Sequence, residues 1–251
     1  MEEHAPEQRR GALRRTLARA RRGAARPPGR ADLHVHSVWS DGAQHPHVIV
    51  EAASRRANVI AITDHDEIRG ALQARAFAAA HPTLGVEVIV GEEISTRNGH
   101  LLGLFLEERV PPGLTAEQAI ELIHAQRGLA VAAHPFHPIR GRALGHRPLG
   151  RLVPDLALDA IEVVNNAGVF SRWYDALADA HDVWYLGSAV TRFEGRTSRD
   201  LRRELVGGRT RAEVRWSWTM DKLPRHLHIQ FRSLFRFLTV CRRQRLLSPA
   251  R

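Results

Sequence analysis

Cysteine is almost absent from this sequence: Cys241 is the single one in 251 residues. A lone thiol excludes an internal disulfide framework and any Cys-rich zinc site, so metal chemistry falls to histidine and carboxylates, and a reducing cytoplasm is the expected compartment. Long apolar runs are also missing. Nothing approaches the roughly 18 consecutive apolar residues of a spanning helix, and the Arg-Arg pairs near the start lead into no signal-peptide core, so a soluble protein is expected. Arginine outnumbers acidic residues at both ends. Of the formal charge of +10, residues 1–30 hold +6 (nine Arg against Glu2, Glu3 and Glu7) and residues 222–251 hold +8 (Lys222 and seven Arg, no acid), which leaves the segment between them net acidic. A polyanionic partner, nucleic acid or an anionic membrane surface, is therefore an expectation about the tails, not the body.

With 43% hydrophobic residues the chain is long enough for one sizeable core. Residues 1–30 read as a basic flexible arm closed by Pro27, Pro28 and Gly29, residues 31–212 as the folded domain, and residues 213–251 as a basic extension. Apolar runs at Asp32–His36, Val59–Thr63, Val86–Ile94, His100–Leu106, Leu129–Ala133 and Ala160–Val164 read as strands. They alternate with helix patterns at Pro46–Ala57, Glu67–Ala80 and Ala116–Arg127, the last opened by a Thr115/Gln118 capping box and stopped at Gly128. Strand–helix repeats of this kind predict an α/β fold with a parallel sheet, and a closed barrel fits them. Beyond Gly187 the pattern thins to one capped helix, Ser198–Val206. After it, Met220–Arg245 has Leu227, Phe231, Leu234 and Leu238 at helical spacing, an amphipathic helix. Its Phe231, Leu234, Phe235 and Leu238 are expected to pack on the barrel, with Arg232 and Arg236 in water.

Chemistry-bearing residues recur where these strands end. In Asp32-Leu33-His34-Val35-His36 the two-residue period of a strand puts both imidazoles on one side, able to converge on a metal, and Asp41 follows. Thr63-Asp64-His65-Asp66 ends a buried run at what would be a barrel mouth, although one of the two aspartates could simply cap the next helix. Gly91-Glu92-Glu93 ends another, His100 opens the strand after an Asn98-Gly99 turn, and His134 follows Leu129–Ala133. A lone histidine after a strand is more often hydrogen-bonded than metal-bound. Their joint occurrence at successive strand ends converges several ligands on one barrel face.

In that order and spacing, His34-x-His36, Asp41, Thr63-Asp64-His65-Asp66, Gly91-x-Glu93, His100 and Ala133-His134-Pro135 resemble the motifs of the PHP (polymerase and histidinol phosphatase) family, from about Asp32 to Thr210. The resemblance implies a distorted seven-stranded (β/α) barrel with two or three divalent cations (manganese, iron or zinc) at its mouth. It further implies a metal-dependent phosphoesterase, in a branch that includes nucleotide phosphatases and 5′–3′ exonucleases on short nucleic acids. Carried over residue by residue, His34, His36, Asp41, His65, Glu93, His100 and His134 are the implied ligands, with Glu93 preferred over Glu92 by the family's Gly-x-Glu pattern.

The family's last motif is an Asp-x-His pair, for which Asp179-Ala180-His181 competes with the ligand-free Gly187-Ser188-Ala189-Val190-Thr191. We take Asp179 and His181. Only thirteen residues, 166–178, then separate this pair from the preceding strand, too few for a crossover plus a further strand, so the barrel reads as shortened by an internal deletion. A single helix over Val169–Ala180 would make Asp179 and His181 diverge. The resemblance implies His34, His36, Glu93 and Asp179 at one metal, Glu93, His100 and His134 at a second, and Asp41, His65 and His181 at a third. Asp64 and Asp66 would orient histidines, and Arg69 or Arg140 would grip substrate phosphate. The expected substrate is a phosphorylated small molecule or short nucleic acid. The rival expectation is an impaired PHP-like domain acting as a nucleic-acid or anionic-surface binding module.

Overall fold

The structure is a computed structural model of the 251-residue chain; it describes residues 27–136, 149–163 and 179–215, with positions 228, 229, 231, 232, 235, 236 and 239. The supposed deletion at 166–178, Arg140 and most of the N-terminal arm lie outside the described residues.

The sheet begins with β1 (Pro28–Val35), three residues ahead of the expected start of the fold, because Pro28–Ala31 pair antiparallel with β7 (Ala189–Glu194). Chain order then runs through α1 (Pro46–Ala53), β2 (Val59–Ile62), α2 (Arg69–Ala80), β3 (Glu87–Thr96), β4 (Gly99–Leu104), α3 (Ala116–Ala125), β5 (Leu129–Ala132) and β6 (Ala160–Ile161). After β7 come α4 (Ser198–Val206) and β8 (Arg211–Val214). The eight strands form one sheet in the order β6-β5-β4-β3-β2-β1-β7-β8.

This corrects the all-parallel expectation. β1, β2 and β3 are parallel, but β4 is antiparallel to both β3 and β5, and β7 is antiparallel to both β1 and β8. For β3 and β4 the physical reason is the two-residue Arg97-Asn98 connection, which joins them directly: two adjacent strands linked by a tight turn can only run antiparallel. Among the described residues β6 and β8 are the outer strands of the sheet. β7 and β8 were not foreseen.

Side chains alternate between two cores. Ile60, Ile62, Val88, Val90, Ile94 and Leu101 face α1, α2 and α3, whose small or apolar faces (Ile49, Val50, Ala71, Ala74, Ala119, Ile123) bury against them. Val59, Ala61, Ile89, Leu102, Leu104 and Val131 fill the other face with Phe193, Leu201 and Leu205. A sheet covered on both faces reads as continuous apolar runs, and β2, buried at all four positions, does so. The Thr115/Gln118 capping box is present, and Thr197 and Asp200 make a second at the start of α4.

At the C-terminal end, the described positions from 228 to 236 are helical. Their orientation reverses the expectation. Phe231 and Phe235 are exposed and Ile229 is buried, while Arg232 is ion-paired to Asp182 and Arg236 donates to the Val38 carbonyl.

Candidate metal centre

Parallel pairing sets the ends of β1, β2 and β3 side by side, and the candidate residues sit there. The register between β1 and β2 slips between Asp32 and Val35, a bulge that falls on Leu33 and His34. Such a bulge re-aims side chains next to a site. The His34 and His36 rings lie 5.0 Å apart. Beyond β2, His65 forms a parallel bridge with Glu93, tied by Asp66 N–H to Glu93 O at 3.0 Å and Glu93 N–H to Asp64 O at 3.2 Å. Glu93 thereby faces the imidazoles. Glu92 points elsewhere and accepts Val110 N–H at 2.8 Å; burial pushes its carboxyl well above the usual range, with that N–H and Arg109 only partly offsetting.

Asp179 and His181 converge. Val35 and Ala180 form a parallel bridge, with Ala180 N–H donating to His34 O at 2.8 Å and His36 N–H to Ala180 O at 3.0 Å. Ala180 is thus bridged to β1 and residues 179–181 are not helical, and Asp179 Oδ1 lies 3.2 Å from His181 Nδ1. That removes the premise for divergence.

Glu93 lies at the centre. Its Oε1 is 2.7 Å from His100 Nδ1 and 2.8 Å from His134 Nε2; its Oε2 is 3.0 Å from His34 Nε2, 3.2 Å from His36 Nε2 and 3.4 Å from His65 Nδ1. Asp179 Oδ1 lies 3.2 Å from His36 Nε2 and 3.6 Å from His34 Nε2. Asp41 Oδ2 is 2.9 Å from His181 Nε2 and 3.8 Å from His65 Nε2, and its Oδ1 is 3.3 Å from His36 Nδ1. Three groups of possible ligand atoms result: His34, His36, Glu93 and Asp179; His65, Glu93 and His100; His36, Asp41, His65 and His181. The first is the expected set. The second has His65 where His134 was expected, and the third gains His36, because His36 and His65 each present one nitrogen toward Glu93 and the other toward Asp41.

So many buried ionisable groups would be costly without a counter-charge, and the protonation pattern shows the conflict. Burial opposes charge on His34, yet Glu162, Glu93 and Asp179 hold it well above its ordinary range. His36 is pushed up to about 10 against burial, chiefly by Asp41 with Asp179 and Glu93. His65 goes the other way, held well below by burial with His36 and His100. Burial likewise opposes charge on Glu93 and Asp41, but neighbouring imidazoles hold both carboxyls low. Protons here do what a cation would do: a cation beside His36 Nε2, which lies 3.2 Å from both Glu93 Oε2 and Asp179 Oδ1, would take the place of the proton on that nitrogen. An all nitrogen and oxygen donor set of this kind suits manganese, iron or zinc.

The supporting residues differ from expectation. Asp64 accepts Ser37 N–H, Ser37 Oγ–H and Ser40 Oγ–H, each at 2.7 Å, and Ser40 Oγ lies 3.3 Å from His36 Nδ1. It acts on His36 through a serine. Asp66 accepts Ser95 N–H at 2.7 Å. Arg69 stands at the start of α2, paired with Glu67 and lying 4.4 Å over the Trp39 ring.

Glu162 was missed. Its Oε1 accepts His34 Nδ1–H at 3.0 Å and its Oε2 accepts His134 N–H at 2.7 Å, so one carboxylate fixes two candidate ligands. The signal was a charged residue inside the apolar run Ala160–Val164. Five non-glycine residues among those described have positive φ, and Asp66, His134 and Asp179 are three of them. Strain of that kind collects at functional sites.

The profile of the PHP domain matches residues 32–137, which contain seven of the nine candidate ligands. An uncharacterized protein of Methanocaldococcus jannaschii, MJ1587, is 40% identical over 148 residues, 54% of this chain and 81% of that protein. The chain belongs to the PHP domain family. A further relative, the 3′,5′-nucleoside bisphosphate phosphatase of Chromobacterium violaceum, is 40% identical over 85 residues, 32% of this chain and 29% of its own length. Among solved structures, the chain resembles a two-domain protein containing a predicted PHP-like metal-dependent phosphoesterase from Bacteroides vulgatus. The TM-score is 0.59 at 21% identity, covering 75% of this chain and 65% of that one, a likeness of fold.

Proposed function

We propose that this PHP chain is a metal-dependent phosphoesterase that hydrolyses a phosphate ester of a nucleotide or short nucleic acid. The observation that carries the reading is Glu93, whose two oxygens meet five imidazoles between them. A buried carboxylate so placed suits a ligand shared between neighbouring cations. On this reading His34, His36, Glu93 and Asp179 hold one cation, His65, Glu93 and His100 with His134 a second, and Asp41 and His181 with His36 or His65 a third. When bound, the cations would lower the pKa of water and draw charge from the phosphate oxygens.

The chain itself positions. Asp64 fixes the Ser37–Ser40 turn against His36, and Asp66 fixes Ser95 beside Glu93. Glu162 holds the His34 ring with Nδ1–H outward, leaving Nε2 directed at Glu93 and Asp179. Arg69 at the rim is proposed to meet the substrate phosphate, with Trp39 beneath its guanidinium. The nucleotide preference leans on the similarity to the bisphosphate phosphatase.

Phosphate release from adenosine 3′,5′-bisphosphate with manganese, beside a His34→Ala control prepared identically, tests the proposal. Turnover present in the parent and lost in the variant supports it. Absence of turnover with manganese, iron and zinc across nucleotide and oligonucleotide substrates would refute it.

A further inference from the structure

The helical period of the C-terminal sequence groups Phe231, Leu234, Phe235 and Leu238 on one stripe. The two described members of that stripe turn away from the protein: Phe231 is 70% and Phe235 is 68% exposed. Ile229, on the other side of the helical wheel, joins the main core at 2% exposure. Arg232 Nη2 donates to Asp182 Oδ2 at 2.6 Å and Arg236 Nη2 to Val38 O at 3.1 Å. Aromatic rings thus face outward while these two arginines are spent on the fold, the opposite of a solvated surface helix.

What could cover such a stripe is limited by charge. Residues 222–251 carry Lys222 and seven Arg with no acid, so a second copy seated on the same stripe would bring two strongly cationic segments together. A nucleic acid is held chiefly by arginines turned toward its phosphates, yet Arg232 and Arg236 are engaged by Asp182 and the Val38 carbonyl, and the most exposed of the described residues here are phenylalanines. An anionic bilayer surface suits both features: rings enter the acyl boundary while the remaining cations of the segment attract headgroups. No helix among the described residues is long and apolar enough to cross a membrane, so the contact is peripheral.

We propose that the C-terminal segment docks this chain on an anionic lipid surface through Phe231 and Phe235. Asp182 follows His181 directly and Val38 lies two residues after His36, so the docking segment is tied to two of the loops that carry candidate metal ligands.

The test is co-sedimentation of the full chain with phosphatidylcholine vesicles, with and without phosphatidylglycerol. Binding to the anionic vesicles alone, weakened by salt, is expected. Phe231→Ser/Phe235→Ser should lower the partition coefficient by about tenfold or more with an unchanged melting temperature, since both rings are exposed. A second variant, Arg242→Gln/Arg243→Gln/Arg245→Gln, should weaken binding to anionic vesicles at low salt. Failure to bind anionic vesicles would overturn the proposal, as would binding indifferent to the Phe substitutions. Phe-dependent binding of a single-stranded RNA probe by a chain that ignores vesicles would overturn it in favour of nucleic acid.

Discussion

Replacing Glu162 by Gln separates orientation from ligation at the candidate centre. The carboxylate accepts two donors, His34 Nδ1–H at 3.0 Å and His134 N–H at 2.7 Å. An amide of the same shape has only one oxygen to offer. The backbone N–H of His134 cannot deprotonate, so the amide oxygen is expected to stay there and the NH₂ to face His34 Nδ1. A neutral His34 must then accept at Nδ1 and carry its proton on Nε2, the nitrogen 3.0 Å from Glu93 Oε2 and 3.6 Å from Asp179 Oδ1. A protonated nitrogen cannot ligate. Loss of such an orienting carboxylate typically costs about 10–100-fold in metal affinity, or about 1.4–2.7 kcal/mol. Calorimetric titration of metal-free protein with manganese should therefore show weaker binding for Glu162→Gln by about that factor. Glu162→Asp, which keeps two acceptor oxygens at shorter reach, should fall between it and the parent. Affinity within about twofold of the parent would refute the tautomer argument; lowered thermal stability with unchanged affinity would reduce Glu162 to a packing role.

Two further outcomes follow from buried groups around the centre. A Cβ added at Gly70 would overlap Asp64 Oδ2 and Ser37 Oγ, so Gly70→Ala should lower stability by about 1–3 kcal/mol in denaturant titrations and weaken manganese binding through the Ser37–Ser40 turn; an unchanged midpoint would refute the contact. The Asp32 carboxyl is pushed from 3.8 up to about 7 by burial, only partly offset by Gly187 N–H at 2.7 Å. The folded state thus keeps a proton that the unfolded chain releases, and its contribution to stability is full below about pH 4 and lost as pH rises to about 7, worth of order 4 kcal/mol. Asp32→Asn, uncharged but still an acceptor for Gly187, should gain stability over the metal-free parent as pH rises through that window, and a pH-independent difference in unfolding free energy would contradict this.

Much of the fold was legible because short apolar runs and capped helices are local signals. Thr115 with Gln118 marks the start of α3, and the helix read at Ser198–Val206 is α4 as observed. The strand directions were less legible. Asn98-Gly99 between two apolar runs was itself a hairpin signal, and giving it more weight than the strand–helix rhythm would have made β4 antiparallel. β7 and β8 carry Thr191, Arg192, Arg211 and Glu213 among few apolar residues, so their sequences do not stand out. Their pairing is decided by distant partners, Pro28–Ala31 for β7 and then β7 for β8.

The candidate centre divides in the same way. His34, His36, His65, Glu93, His100 and His134 each adjoin a strand whose apolar run announces it, so their convergence could be argued from strand ends alone. Asp179 and His181 had no such run before them, and the spacing argued for a helix that would separate them. What brings them together is a set of main-chain bonds to β1, from Ala180 to His34 O and from His36 to Ala180 O, which bridge that one residue to the strand without any β-forming pattern around it. Asp179 has a φ of +81°, a conformation that a non-glycine residue holds only when its surroundings impose it. Sequence periodicity records preferences of the isolated chain, and here the partner strand overrides them. The same reasoning explains Glu162: its identity was plain in the sequence, but its role depends on His34, 128 residues away, and on a strained His134 whose amide it accepts.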